Sequence, residues 1–466
     1  MTGLPRRSFL KILSSMPVFA SFGFTGEARA STIDLPGAPE TLLKTAKEVT
    51  NPAAYVPGYL SIIQGPTSDT ETLINVVAPR LKKYVYSVVD ANGFAISVSH
   101  YATVTSPTFF SVNKLRVSGL TPGAKYELRV NDGKLLVDRR TFSSLNTKNT
   151  SPNFALISCM ADDRRFDGVI DPMWAKVKAA RPEFLIFCGD AIYVDSFEFV
   201  DRLKGTEFDL WQRYIDTLRR IPLYHWTEMV PIFATWDDHD FGTNDGDKTF
   251  QAKEAAKKLF DAIFGGPELK GVWQPSPSGV ANKLTAFGQS FYFMDNRSFR
   301  QPNKETTPED YGHWGKEQHA WLLDGLSNDA TPAWIVNGNQ CFNGVNLSFK
   351  ESFEGNSPKE FSSLMSELSK AKQPVVFASG DVHITEIMRV PKARLGYETY
   401  EFTSSSLHSF AGDGWDNPMR MTGAYSKEFN FLMIRSEPRD GGLKVDTTCI
   451  GLADRPYFQS SLNVIR

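Results

Sequence analysis

The 466-residue chain carries 51 basic and 53 acidic side chains, a net charge of −2, with 41% hydrophobic and 22% charged positions. That balance suits a globular chain with a sizeable core and excludes disordered, collagen-like and coiled-coil classes; it leaves no bulk field for holding nucleic acid or coating an anionic membrane. Four cysteines (Cys159, Cys188, Cys341, Cys449) without any CxxC pair exclude a disulfide scaffold and a zinc-finger framework.

The N-terminus has the form of an address. Pro5-Arg6-Arg7-Ser8-Phe9-Leu10-Lys11 is a twin-arginine pattern, followed by an apolar stretch from Ile12 to Phe24 and an Ala28-Arg29-Ala30 cleavage site. Residues 1–30 are therefore expected to be a signal peptide handled by the twin-arginine export machinery, leaving a periplasmic or secreted chain. The apolar run falls short of the ~20 residues a bilayer span needs, and no later segment has the length and apolarity of a membrane helix.

From residue 31 to 145 the signals are strand and turn. Alternating or β-branched segments at Tyr59–Gln64, Thr72–Ala78, Lys83–Val89, Phe94–His100, Ser111–Val117, Tyr126–Val130 and Leu135–Phe142 are separated by Gly-Pro, Asn-Gly and Asp-Gly pairs. This predicts a small N-terminal β-sandwich. Its Gly119-Leu120-Thr121-Pro122-Gly123 loop before Tyr126 resembles that of fibronectin type III domains, where the Tyr fixes a corner. Ser143–Asn153 is the linker.

Residues 154–466 alternate short apolar runs with helical segments, the pattern of a layered α/β domain. Asp171-Pro172 predicts a helix start with Pro at its first position, and Ser357-Pro358-Lys359-Glu360 a capping box. The segment from Gly412 onward reads as strands and a lid.

The ends of the apolar runs carry the chemistry. Phe154–Ser158 ends at Cys159, Phe184–Cys188 at Gly189-Asp190, and Pro231–Thr235 at Trp236-Asp237-Asp238-His239-Asp240. Trp334–Asn337 ends at Gly338-Asn339-Gln340, and Pro374–Ser379 at Gly380-Asp381-Val382-His383. In layered α/β folds the ligand crevice lies at the carboxyl ends of the strands, so five strand ends would present metal-ligand side chains along one edge. Any one of these residues alone is more simply a helix cap, a turn or packing; together, side-by-side carboxylates demand cations.

Gly189-Asp190-Ala191-Ile192-Tyr193, Trp236-Asp237-Asp238-His239-Asp240 and Gly380-Asp381-Val382-His383, in that order after Ser158-Cys159, resemble alkaline phosphatase D and its PhoD-like relatives among the metallophosphoesterases. Phe291-Tyr292-Phe293-Met294-Asp295-Asn296-Arg297-Ser298-Phe299-Arg300 and Gln318-x-x-Trp321-Leu322 extend the likeness. The resemblance implies a four-layer α/β/β/α metallophosphoesterase domain, and it implies two metal ions, Fe3+ with Ca2+ or another divalent ion. Cys159, Tyr193 and His383 would bind the first; Asp190 would bridge; Asp238 and Asp381 would bind the second, with Asn339 or Gln340 between. A thiolate and a phenolate suit trivalent iron, whereas calcium prefers oxygen ligands.

The expected function is hydrolysis of phosphate monoesters or diesters by metal-activated water, with phospholipids or wall polymers as alternative diester substrates. His239 would assist the leaving oxygen, oriented by Asp237 or Asp240. The Gly-Asp-x-x-Tyr loop has no cation for the phosphate, so Arg164, Arg165, Arg297 and Arg300 are the candidate anchors, because guanidinium pairs bidentately with phosphate. Two readings of other classes are a binding protein whose metals are structural and an adhesion module led by the sandwich. His100, His225, His313 and His319 read as structural, Cys188 and Cys341 as core, and His408 as a residue that could line the pocket.

Overall fold

The computed structural model describes residues 60–195, 204–345, 350–410, 412 and 414–466. The expected signal peptide at residues 1–30 lies outside the described residues, as does the first part of the expected N-terminal domain.

Seven strands come first: β1 (Ser61–Thr67), β2 (Glu71–Pro79), β3 (Tyr84–Asp90), β4 (Ala95–Thr105), β5 (Phe110–Ser118), β6 (Lys125–Asp132) and β7 (Leu135–Ser143). They correspond to the seven segments marked by alternation and turn pairs. Instead of two separate sheets they form one antiparallel sheet in the order β1-β2-β5-β4-β3-β6-β7. The joint is β4, whose 11 residues let it pair with β5 along most of its length and with β3 at Val88↔Ile96 and Val89↔Ala95. A register shift between His100 and Ala102 bends it. Ile62, Val76 and Val117 from one half meet Val88, Leu128 and Phe142 from the other in a single core, so the sheet curls into a half-barrel. The Tyr126 hydroxyl accepts a hydrogen bond from the Thr121 amide at 2.7 Å, the corner its loop suggested.

Buried cations fasten this sheet to the rest of the chain. Lys114 Nζ donates to the carbonyls of Asp261, Ala262 and Gly265 at 2.9, 3.0 and 3.0 Å, satisfying acceptors at the end of a helix. Arg140, paired with buried Asp138, donates to the carbonyls of Tyr224 and Trp226.

Two mixed sheets come next. β8 (Asn153–Ile157), β9 (Phe184–Cys188) and β10 (Ile232–Thr235) run parallel, and the chain then builds β11 (Trp273–Pro275), β12 (Asn282–Ala286), β13 (Gln289–Phe293), β14 (Ala333–Val336), β15 (Val375–Ser379), β16 (Thr385–Val390), β17 (Thr399–Thr403) and β18 (Arg420–Ser426). It closes with β19 (Asn430–Arg439), β20 (Gly442–Gly451) and β21 (Phe458–Ile465). The first sheet is ordered β10-β9-β8-β19-β20-β21 and the second β11-β12-β13-β14-β15-β17-β16-β18. The C-terminal strands thus complete the first sheet, β19 pairing antiparallel with β8, and no lid is formed among the described residues.

Alternation along the strands sets the layers. Phe154 and Phe184 meet Phe291 across the two sheets at ring separations of 5.8 and 6.3 Å, while the next residue, Tyr292, turns the other way onto Trp321 of the helix Lys316–Ser327 at 5.6 Å. On the outer side of the first sheet Phe187 meets Phe264, just past the helix Lys253–Ile263.

Two expected helix starts differ. The first helix begins at Asp167, led in by a 3-10 turn at Arg164–Phe166, and Pro172 lies within it rather than at its first position. At Ser357 no capping box forms: the Glu360 carboxylate is drawn away to accept the His313 amide at 2.7 Å.

Candidate metal centre

The carboxyl ends of β8, β9, β10, β14 and β15 meet on one edge. The backbone turns sharply there: Cys159, Asp190, Asp381 and His383 all adopt positive φ, at 55°, 55°, 69° and 54°. Non-glycine residues hold such conformations at a cost of about 1–3 kcal/mol each, characteristic of functional sites. Gly189 (φ 78°) and Gly338 let the loops close: a Cβ on either would overlap Asp237.

The turns bring four overlapping groups of donor atoms together, each within 4.8 Å: Cys159, Asp190 and His383; Asp190, Asp237, Asp238 and Asp381; Asp190, Asp238 and His239; and Asp238, Asp245 and Glu351. Asp190 belongs to three of them. Cys159 Sγ lies 3.4 Å from Asp190 Oδ2, and the Tyr193 hydroxyl is 3.3 Å from both that oxygen and His383 Nε2. Cys159, Asp190, Tyr193, Asp237 and Asp238 are buried, whereas Asp381, His383 and His239 are partly exposed and form the open side.

The electrostatics show what such a cluster lacks. Burial, reinforced by Asp238, Asp237 and Asp240, pushes the Asp190 carboxyl well above its usual range against the pull of His239. Asp381 is raised by burial and by Asp237 and Asp238. Burial, then Asp190, raises the Cys159 thiol; burial, then Cys159 and Asp190, raises the Tyr193 phenol. Burial takes His383 down to about 4. Asp238 alone is held low, because Arg297 and His239 outweigh its burial. Asp190 Oδ1, Asp237 Oδ2 and Asp381 Oδ2 are buried without a hydrogen-bond partner. Orphaned carboxylate oxygens on neighbouring acids are what a cation would satisfy, so the residues present fit metal ions.

Several expected roles are redistributed. His239 is oriented neither by Asp237 nor by Asp240 but by Asp195, whose Oδ1 lies 2.6 Å from Nδ1 and whose Oδ2 accepts the Asn244 amide at 2.8 Å. The imidazole also stacks on Tyr193 at 4.0 Å. Burial would lower its pKa, but Asp195, Asp238 and Asp190 raise it well above the ordinary value. Asp240 instead ties two loops, accepting the amides of Ile192 and Asp237 at 2.8 and 3.1 Å. Asp237 accepts from Arg297 Nε and from Asn296 Nδ2 and sits in the acidic cluster.

Arg297 and Arg300 are not free to anchor phosphate. Both are fully buried; Arg297 Nη2 lies 3.2 Å from Glu351 and 3.8 Å from Asp238, and Arg300 Nη2 lies 2.8 Å from Glu351. They neutralise carboxylates. Arg164 and Arg165 are exposed; Arg165 is gripped by Asp163 through two bonds of 2.9 Å and lies over the Phe410 ring, which packs beside His383. Gln340 turns away, donating to Glu386 at 2.9 Å and Thr403 at 3.1 Å. Asn339 lies against the cluster through Asn296: its Oδ1 accepts from Asn296 and Asn337 at 3.0 and 2.7 Å, and its Nδ2 is buried without a partner. Asn296 Oδ1 is also buried without a partner. His408 accepts from Trp174 Nε1 at 2.9 Å and contacts the Ala161 carbonyl at 2.9 Å, so it is part of the packing.

Sequence pattern does not single out Asp195, Asn296 or Glu351 as site residues. Asp195 stands two residues after Tyr193, and Asn296 lies inside the Phe291–Arg300 segment, so both adjoin a motif; Glu351 has no such signal. Gln318 supports this segment, bonding the amide and carbonyl of Asp295 at 2.6 and 2.9 Å.

Comparison with known proteins supplies the class. Residues 273–441 match the family model of PhoD-like phosphatases. That stretch holds Asn296, Arg297, Asn339, Asp381 and His383. Among solved structures, one described as the structure of PhoD superposes with a TM-score of 0.64 at 17% identity, covering 88% of this chain and 90% of that one. A β-glucuronidase of glycoside hydrolase family 2 reaches a TM-score of only 0.20 at 10% identity, over 86% of this chain and 49% of that one, and bears on nothing further. No curated protein sequence matches. A mixed α/β chain with an N-terminal antiparallel half-barrel and an acidic edge on its two mixed sheets is thus a phosphoric ester hydrolase. Over residues 273–441 it matches the PhoD-like phosphatase family, and over most of its length it shares the fold of PhoD.

Proposed function

We propose that this chain is an exported phosphoesterase of four-layer α/β/β/α architecture that hydrolyses phosphate monoesters, diesters or both at a two-metal centre. The observation that carries the reading is Asp190: buried, common to three donor groups, and with one carboxylate oxygen beside Cys159 and Tyr193 while the other has no partner. Cys159, Tyr193, His383 and Asp190 would hold one cation, whose thiolate and phenolate suit Fe3+; Asp190, Asp238 and Asp381 would hold a second, whose oxygen donors suit Ca2+. Such a pair supplies a water whose pKa falls from about 15.7 towards ~7 and positive charge for the phosphoryl oxygens.

The chain's own groups do the rest. Asp195 engages Nδ1 of His239 and leaves Nε2 for a substrate oxygen, and its carboxylate favours the protonated imidazole that a donor to a leaving alkoxide must be. Arg297 and Arg300 hold the acidic wall in place. Arg165, over the Phe410 ring that packs beside His383, is a cation on the open side and the candidate for meeting an anionic substrate. A purely structural metal site has no use for the His239–Asp195 pair, which weighs against a binding protein. The twin-arginine pattern supports export to the periplasm or medium in a folded state.

The test is metal analysis of protein recovered after export from its own cell, with turnover on nitrophenyl phosphate and bis-nitrophenyl phosphate before and after chelation. Two metals per chain, loss of turnover on stripping and recovery on readdition are expected. Full turnover in metal-free protein would refute the proposal.

A further inference from the structure

Two serine hydroxyls lie against the sulfur of Cys159, and they are not equivalent. Ser158 Oγ is 3.2 Å from Sγ, but it also lies 2.6 Å from the carbonyl of Ser404. A carbonyl can only accept, and a hydroxyl has one proton, so the shorter bond takes it and Ser158 brings the sulfur only lone pairs. Ser405 is arranged the other way. Its Oγ accepts the His383 amide at 2.9 Å, which leaves its own proton for Cys159 Sγ at 3.0 Å. Ser405 and Cys159 are both buried from solvent, so no water competes for that proton.

We infer that Ser405 is a positioning residue for the metal centre: its hydroxyl hydrogen-bonds the Cys159 sulfur, holds it in register with His383 and weakens its electron donation to the bound ion. The inference rests on the reading of Cys159 as a metal ligand. One hydroxyl joins two residues assigned to the same ion, His383 through its backbone amide and Cys159 through its sulfur. Hydrogen bonds from outer residues orient metal ligands and set their donor strength, and for sulfur ligands they shift the electronic levels of the metal. A hydrogen bond lowers the energy of the filled sulfur orbitals, so moving an electron from sulfur to metal takes more energy with the bond than without it.

The experiment uses full-length protein stripped by chelation and reloaded with cobalt(II) alone, with the bound cobalt measured for every sample and Cys159→Ser identifying the sulfur-to-metal absorption band. Ser405→Ala is expected to move that band to longer wavelength at unchanged cobalt content. Ser405→Thr, which keeps a hydroxyl, and Ser158→Ala, which removes one that does not donate, should leave it at the wild-type position. A band unmoved in Ser405→Ala overturns the inference while leaving Cys159 a ligand. Wild-type protein that binds cobalt yet shows no band sensitive to Cys159→Ser overturns the ligand assignment, and the inference with it. If Ser405→Ala does not fold, the metal–sulfur stretch of the wild-type protein decides: it should shift on exchange into deuterium oxide, and an unshifted stretch in fully exchanged protein overturns the inference.

Discussion

Replacing Arg297 with Met separates two roles a buried guanidinium could have. Its Nε donates to Asp237, Nη1 to the Gly246 carbonyl at 3.3 Å, and Nη2 lies 3.2 Å from Glu351 and 3.8 Å from Asp238. Arg297 and Asp237 are both fully buried. Methionine keeps much of the stem's volume but removes the guanidinium from Asp237, leaving neutral donors such as the Asn296 amide against its charge. Breaking a buried pair from one side costs about 3–5 kcal/mol, against ~0–1 kcal/mol for an exposed pair. The unfolding equilibrium should therefore shift by roughly 10²- to 10⁴-fold. Bound cations are a second source of positive charge, so the loss should be larger after chelation. Adding Asp237→Asn removes the uncompensated charge, so the double variant should cost less than the sum of the two single ones. Urea unfolding followed by tryptophan fluorescence, with and without chelator, measures all four proteins. A loss below ~1 kcal/mol accompanied by a large rise in KM would refute the reasoning and make Arg297 a phosphate anchor after all.

The same geometry sets further outcomes. Asp195→Asn removes the largest charge holding the His239 pKa above its ordinary value against burial. A raised group keeps its proton until the pH passes its pKa, so acid-assisted turnover falls on the alkaline side; in the variant that limb should move to lower pH, with kcat on an alkyl phosphate down by about 10²- to 10⁴-fold, and an unmoved limb would count against the pair. Asp190→Asn keeps the shape but removes the charge shared by three donor groups, so metal content should drop by at least one ion per chain and turnover with it; two retained metals with normal turnover would end the two-metal reading. Gly189→Ala puts a Cβ into Asp237 at φ 78° and should cost at least ~1–3 kcal/mol with reduced metal content, read by melting and metal analysis. Unchanged melting would mean that the close approach of the β9 and β10 loops is not needed.

Much of this protein is decided locally. Strand alternation and turn pairs mark the seven N-terminal strands because their periodicity is a property of consecutive residues, and Tyr126 announces its corner from five residues away. Cys159, Asp190, Asp238, Asp381 and His383 stand out because each lies just past an apolar run, and parallel strands must deliver their carboxyl ends to one edge. Partnership is what the chain order conceals. Asp195 and His239 are 44 residues apart and Arg297 and Glu351 54 apart, and nothing in residue type says that one histidine takes an aspartate from another loop or that a guanidinium is spent on a carboxylate rather than kept for phosphate. The same holds for β4, whose length is visible but whose pairing with both β3 and β5, which turns an expected sandwich into a half-barrel, depends on strands that meet only in the folded chain. Composition and spacing set what each side chain can do; the distances that decide with whom it does so arise only when the two sheets pack and exclude water, leaving every buried charge to be met by a neighbour or by a cation.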